Sequence, residues 1–206
     1  MIAAHQTMLA PPALPYDAEV EWLANATTTT TGNPARIDTG IDSSDEVGFE
    51  VTATRVVETS SDAVLFGARY NAGDSRYFVG AQVGGKYYWG WNGRIDSQTL
   101  ALNAKHTLGL NFLNSRTATF DGISVGSLAG TYLYSKRLYF CAYNNNVGFY
   151  GTNVWRCHGG RISVGSTIAR SYKPVRIGTT GYWYEEISGT LHASQDGVFI
   201  VGPDKT

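Results

Sequence analysis

The residues able to do chemistry are few, and their spacing does not suit it. Glycoside hydrolysis needs two carboxyl groups about 5 to 9.5 Å apart across the sugar. Glu185 and Glu186 are adjacent, so on a strand they point to opposite faces. Glu50 lies between Phe49 and Val51, with no acidic partner at Thr52 or Thr54. Ser124, in Asp121-Gly-Ile-Ser-Val-Gly126, lacks the Gly-x-Ser-x-Gly elbow of a hydrolase nucleophile. His5, His106, His158 and His192 are scattered. Gly84-Gly85 and Gly159-Gly160 read as turns or bulges, because no helix follows to make a phosphate loop. The pattern argues against an enzyme.

Binding chemistry is better represented. Lys86-Tyr-Tyr-Trp-Gly-Trp-Asn-Gly-Arg94 puts Tyr87, Trp89 and Trp91 on one strand face and Tyr88 on the other. Exposed rings of this kind stack on the C–H faces of sugars. Asn92, Arg94 and Asp96 lie beside them to hold hydroxyls. The same three rings would equally fill the core of a sandwich, and that reading is the favoured one. A second candidate is the loop Tyr143 to Asn153, with Asn144, Asn145, Asn146 and Tyr150; it is also readable as an ordinary long hairpin loop. Asp42-Ser-Ser-Asp45 and Asn71-Ala-Gly-Asp74 could contribute to a calcium site. Asp and Asn more often cap turns through their own backbone, so Ca2+ stays a secondary reading and no cofactor is expected.

Composition narrows the class. The chain has 206 residues, enough for one all-β domain with a two-sheet core. Charged residues are only 16% and glycines number 24, which suits short strands and tight turns. The net charge is −1 with no basic cluster, so nucleic acid is not an expected partner. No stretch approaches the roughly 18 apolar residues of a membrane helix. Cys141 and Cys157 are too few for zinc, with only His158 nearby. Free thiols are the expectation; a disulfide stays open, because sequence does not fix their separation. Residues 1–10 lack the basic start and unbroken apolar run of a signal peptide, so synthesis in a cytoplasm is expected.

The elements follow from alternation and turns. Residues 1–17, broken by Pro11, Pro12 and Pro15, read either as a disordered end or as an extended arm. Its apolar Ile2, Met8, Leu9 and Leu14 favour docking on a neighbour over solvation. Strands are expected at Asp17–Leu23, Ala35–Ile41, Glu46–Val57 and Asp62–Ala68. Arg76–Val83 and Lys86–Trp91 flank the hairpin signal Gly84-Gly85, and Lys105–Leu113 and Arg116–Asp121 flank Asn114-Ser115. Leu138–Tyr143 reads as one inner strand. Trp155–Val164 and Ile168–Arg176 lead into a closing hairpin. No repeat supports a propeller or solenoid. Short strands with frequent turns select a sandwich or barrel.

Two motifs go further. Thr167–Arg176, Gly181-Tyr-Trp-Tyr-Glu-Glu-Ile-Ser-Gly189 and Gly197-Val-Phe-Ile-Val-Gly-Pro-Asp204 resemble the closing strands of concanavalin A-like (LamG-like) jelly rolls of bacteriophage structural proteins and gut-bacterial surface proteins. "AEVEWL" followed by "RIDTGI" is similar to the opening of the same family, with Trp22 and Arg36 where aromatic residues usually stand. The resemblance implies a two-sheet antiparallel β-sandwich over residues 18–206.

It also implies a non-enzymatic accessory subunit of a phage virion: a capsid decoration, head fibre or tail-associated protein. The arm would anchor it to other virion proteins, and the chain would be a homo-oligomer or bound to a lattice. The alternative is a glycan-binding adhesion module facing host-surface glycans. A glycoside-acting enzyme is third. No membrane association is expected.

Overall fold

The computed structural model describes residues 13–26, 34–58, 63–69, 76–81, 85–91, 93–99, 101–111, 116–129, 134–144, 148–150 and 153–206. Its regular elements are all strands: β1 (Ala18–Glu19), β2 (Leu23–Asn25), β3 (Ile37–Asp42), β4 (Val47–Arg55), β5 (Ala63–Arg69), β6 (Arg76–Ala81), β7 (Lys86–Trp91), β8 (Arg94–Thr99), β9 (Lys105–Asn111), β10 (Thr117–Phe120), β11 (Ile123–Ser127), β12 (Arg137–Phe140), β13 (Tyr143–Asn144), β14 (Phe149–Tyr150), β15 (Trp155–Val164), β16 (Thr167–Ile177), β17 (Thr180–Glu185), β18 (Thr190–His192) and β19 (Phe199–Val201).

They form two packed sheets, the β-sandwich that the strand pattern calls for. The large sheet runs β11-β10-β9-β4-β15-β16-β17-β18, with β1 on β16, β2 on β15 and β19 on β2. The smaller runs β14-β13-β5-β6-β7-β8, and β12 joins β3 to β5. Pairing is antiparallel except between β13 and β5.

Alternation decides which side chains enter the core. In β4, Val47, Phe49, Val51 and Ala53 face inward while Glu50 and Thr52 face out. β5 is buried over almost its whole length, as a strand covered on both faces should be. The layers are joined by rings as well as aliphatic side chains. Phe49 meets Phe66 at 4.7 Å between centroids, and Phe140 meets Trp183 edge-on at 4.7 Å. Hydrogen bonds cross the gap as well: Trp155 Nε1 donates to the Ala63 carbonyl at 3.1 Å, the Tyr77 hydroxyl to the Val47 carbonyl, and Asn25 Nδ2 to the Cys141 carbonyl at 3.0 Å.

Three local outcomes differ from expectation. Asp17–Leu23 is not one strand. β1 pairs with β16, whereas β2 pairs with β15 and β19, so the chain changes partners across the fully buried Val20. Leu138–Tyr143 is also broken: Cys141 has φ 66°, which turns the chain between β12 and β13. β8 and β11 extend hairpins that sequence reading left short. β11 follows Asp121 (φ 49°) and Gly122 (φ 78°), two successive positive φ angles that make a tight hairpin turn.

Candidate functional site

The aromatic strand is not a surface platform. Tyr87, Trp89 and Trp91 are all 0% exposed. Tyr87 packs between Trp155 and Phe120, each at 5.6 Å, and Trp91 lies edge-on to Tyr77 at 5.3 Å. This corrects their reading as glycan-binding rings. Their face of β7 is turned to the opposite sheet, where burial of ring area outweighs any gain from display.

The other candidates fare variously. Arg94 pairs with Asp96 and lies 4.4 Å over the ring of Tyr88, so it covers the outer face of the small sheet and is not free to take a sugar hydroxyl unaided. Asn144 is half-buried in β13, opposite Phe149. The backbone of Tyr150 lies in β14, opposite Tyr143. Asn92, Asn145 and Asn146 fall outside the described residues, as do Ile2, Met8, Leu9, Pro11 and Pro12 of the arm. Leu14 is described, and is 62% exposed.

The acidic residues are engaged. Asp42 and Asp38 both accept from the Arg137 guanidinium, at 2.6 and 3.1 Å, and Asp45 pairs with Arg116 at 3.6 Å. Asn71 and Asp74 lie outside the described residues, and no cluster of three metal-ligating side chains exists among those described. Glu185 points inward and Glu186 outward, as adjacency demands. Burial acts to raise the Glu185 pKa. Hydrogen bonds from Ser188, Ser171 and Ile187 overcome that and hold it below the usual carboxylate value.

Among the described residues a depression lies elsewhere, on the outer face of the large sheet. Register aligns one row of outward residues across six strands: Ser171, Arg161, Glu50, Gly109, Thr119 and Ser124. Gly109 interrupts the row with no side chain. A Cβ built there would lie 2.5 Å from Thr119 Oγ1, so the neighbouring threonine closes over the glycine. A trough of about 390 Å³ results, lined by Glu50, Gly109, Asn111, Thr119, Arg161, Ser163, Ser166 and Ile168. A second depression of about 190 Å³ shares Glu50 and Arg161 and continues over Thr52, Gly159, Gly160 and Ser171.

Arg161 Nη2 reaches both Glu50 oxygens, at 3.0 and 3.1 Å, and so forms the low wall between the two depressions. Both side chains are about half exposed, so the pair adds little to stability and can exchange partners with a ligand. Glu50 is the one carboxylate among the described lining residues. Around it lie hydroxyl, amide and guanidinium groups, a set that donates to and accepts from a polyol.

The floor of this face is held by hydrogen bonds between neighbouring strands. Thr52 and Thr107 hydroxyls meet at 3.0 Å. His158 Nδ1 lies 2.8 Å from the Glu21 carbonyl, which can only accept, so Nδ1 carries the proton. In the neutral ring Nε2 then accepts from Thr54 Oγ1 at 2.9 Å. Burial lowers the His158 pKa, against the opposing effect of the Glu21 carbonyl, and favours that neutral form.

Sequence reasoning missed the trough. Its residues come from β4, β9, β10, β15, the β15–β16 turn and the start of β16, and of those named only Ile168 stands in a quoted motif. The one signal was Gly109 between Leu108 and Leu110 inside a strand, which marks a close approach or a gap. No protein-family model matches the chain, and a search of curated proteins finds no match.

Proposed function

We propose that this chain is a non-enzymatic binding subunit whose large-sheet trough takes a polyhydroxylated ligand, a glycan, and which is carried as an accessory protein on a phage virion by its N-terminal arm. The observation behind the binding half is the row Arg161–Glu50–Gly109–Thr119, in which charged and hydroxyl side chains surround a gap without a side chain. Among the described residues the trough offers no exposed ring for stacking, so each site is weak, on the order of millimolar. Repeated copies on a particle would convert such weak sites into firm attachment. Lattice display and a shallow polar site therefore support one another.

The virion half rests on the resemblance of the opening and closing strands and on the apolar character of the arm. It is tested by removing residues 1–15, since Tyr16 and Asp17 pack on β16 and β17. Loss of incorporation into the particle with an unchanged fold would support anchoring; full incorporation would contradict it. The binding half is tested on a glycan array with the oligomerised protein. Arg161→Ala and Asn111→Ala should abolish binding while leaving thermal stability within about 0.5 kcal/mol. Unchanged binding in both variants would sink the trough.

A further inference from the structure

The two cysteines belong to opposite sheets, and they meet. Cys157 sits in β15, with Ala53 of β4 and Leu23 of β2 as its register partners. Cys141 lies between β12 and β13 of the small sheet. Both are buried in the main core, and their sulfurs are 3.4 Å apart, unbonded. We propose that Cys141 and Cys157 form a redox cross-link between the two sheets: a buried thiol pair that closes to a disulfide in oxidising surroundings. This inference is independent of the function proposed above.

The geometry asks for little movement. A disulfide bond is about 2.05 Å long, so the sulfurs must approach by little more than about 1 Å, within reach of side-chain torsions. The backbones are already fixed. Cys157 is held on both sides by strand pairing. The Cys141 carbonyl accepts from Asn25 Nδ2 at 3.0 Å, while the same buried amide also holds the Ala35 carbonyl at 3.0 Å and the Ala35 N–H at 2.7 Å.

Cys141 also adopts a conformation that L-residues avoid, at φ 66°. Phe140 already points into the core, so an ordinary strand would send the next side chain outward. The positive φ brings Cys141 inward as well, to face Cys157. Glycine or asparagine would take this conformation at lower cost, yet the position holds a thiol opposite another thiol. Burial, with the neighbouring Cys157, raises the Cys141 pKa, so that thiol stays protonated and is slow to react until the sandwich opens locally.

The step needs an oxidant, and a small-molecule disulfide such as oxidised glutathione suffices. One cysteine thiolate attacks it, forming a mixed disulfide and releasing one glutathione thiol. The second cysteine thiolate attacks the first sulfur and releases the other glutathione. Two S–H bonds are lost, one S–S bond is gained, and the small disulfide is reduced to two thiols. The bond closes a ring over a sequence separation of 16 that includes β13 and β14. Restricting that segment in the unfolded chain stabilises the fold. A subunit folded under reducing conditions would thus stiffen when exposed to oxidising ones.

The test uses the full chain. Protein held in excess oxidised glutathione, then unfolded in denaturant with an alkylating agent, should show no free thiol by mass spectrometry. A non-reducing peptide map should join the Cys141 and Cys157 peptides. The thermal midpoint should rise by roughly 5–10 °C and return on reduction. Cys157→Ser should show no such rise. If that variant does not fold, the thiol count and midpoint of the unaltered chain decide alone. Two alkylated cysteines after prolonged oxidation, glutathione adducts without the internal link, or a lowered midpoint would each overturn the proposal.

Discussion

β7 and β4 each alternate side chains between two environments, and what they present is opposite in kind. β7 carries the richest run of rings in the chain and turns Tyr87, Trp89 and Trp91 into the core. β4 carries Glu50, Thr52 and Thr54 on its outer face, with neither rings nor a motif, and contributes to both depressions found among the described residues of that face. Conspicuous residues here support the fold, and plain ones shape the surface. Large apolar rings gain most by leaving water, so they are drawn inward whatever else they could do. A polar trough needs only small residues in register.

That contrast can be broken most forcefully at β7. Trp89→Ala or Trp91→Ala should cost about 3–5 kcal/mol, a large part of the usual net stability, and calorimetry should show a fold lost or barely held. A folded Trp89→Ala with a near-normal midpoint would mean that the strand is not core. The next largest effect belongs to Asn25, whose buried amide ties β2 to Ala35 and to the Cys141 carbonyl. Asn25→Ala leaves buried backbone groups unpaired and should cost about 1–3 kcal/mol by denaturant titration.

Acid should act next, and through the outer face as well as the core. His158 and His192 have pKa values lowered by burial, so near their ordinary value the unfolded chain binds protons that the folded one refuses. Glu185 is likewise held low in the fold. Depressed folded pKa values give stability that is present above the unfolded pKa and lost as pH falls. Stability should therefore drop from about pH 7 to pH 5 with the histidines, and further below about pH 4.5 with the carboxylate. Glu185→Gln should flatten the lower limb, and His158→Gln should flatten part of the upper. A profile that rises on acidification would contradict both assignments. Smaller than the Trp89→Ala loss, Trp89→Phe should cost only the lost ring volume, since Trp89 Nε1 has no hydrogen-bond partner among the described residues.

Much of the fold was legible. The inward set Val47, Phe49, Val51 and Ala53 follows from period-two alternation alone, and β6 and β7 pair antiparallel, although the Ala81↔Tyr87 register is not that of the two-residue connection expected. Parity also placed Tyr88 apart from Tyr87 and Trp89, which belong to separate buried clusters. Parity does not say which face looks at the other sheet. That is why a platform and a core were both readable from the same letters. The trough was hidden for a related reason. Arg161, Glu50, Gly109 and Thr119 are distant in sequence, and only the register of β15, β4, β9 and β10 sets them in line. The break at Cys141 was hidden because a positive φ leaves no trace in the pattern of Leu138–Tyr143.

The central claim is that the outer face of the large sheet, rather than the aromatic strand or the Tyr143–Asn153 loop, receives the ligand. Amide chemical-shift mapping of the labelled chain against a series of oligosaccharides tests it most directly. The account predicts dose-dependent shifts at Gly109, Asn111, Thr119, Arg161 and Ser163, with the amides of β6 and β7 unmoved. Shifts gathered at residues 86–94 or 143–153, or no shift in the trough at tens of millimolar sugar, would contradict it.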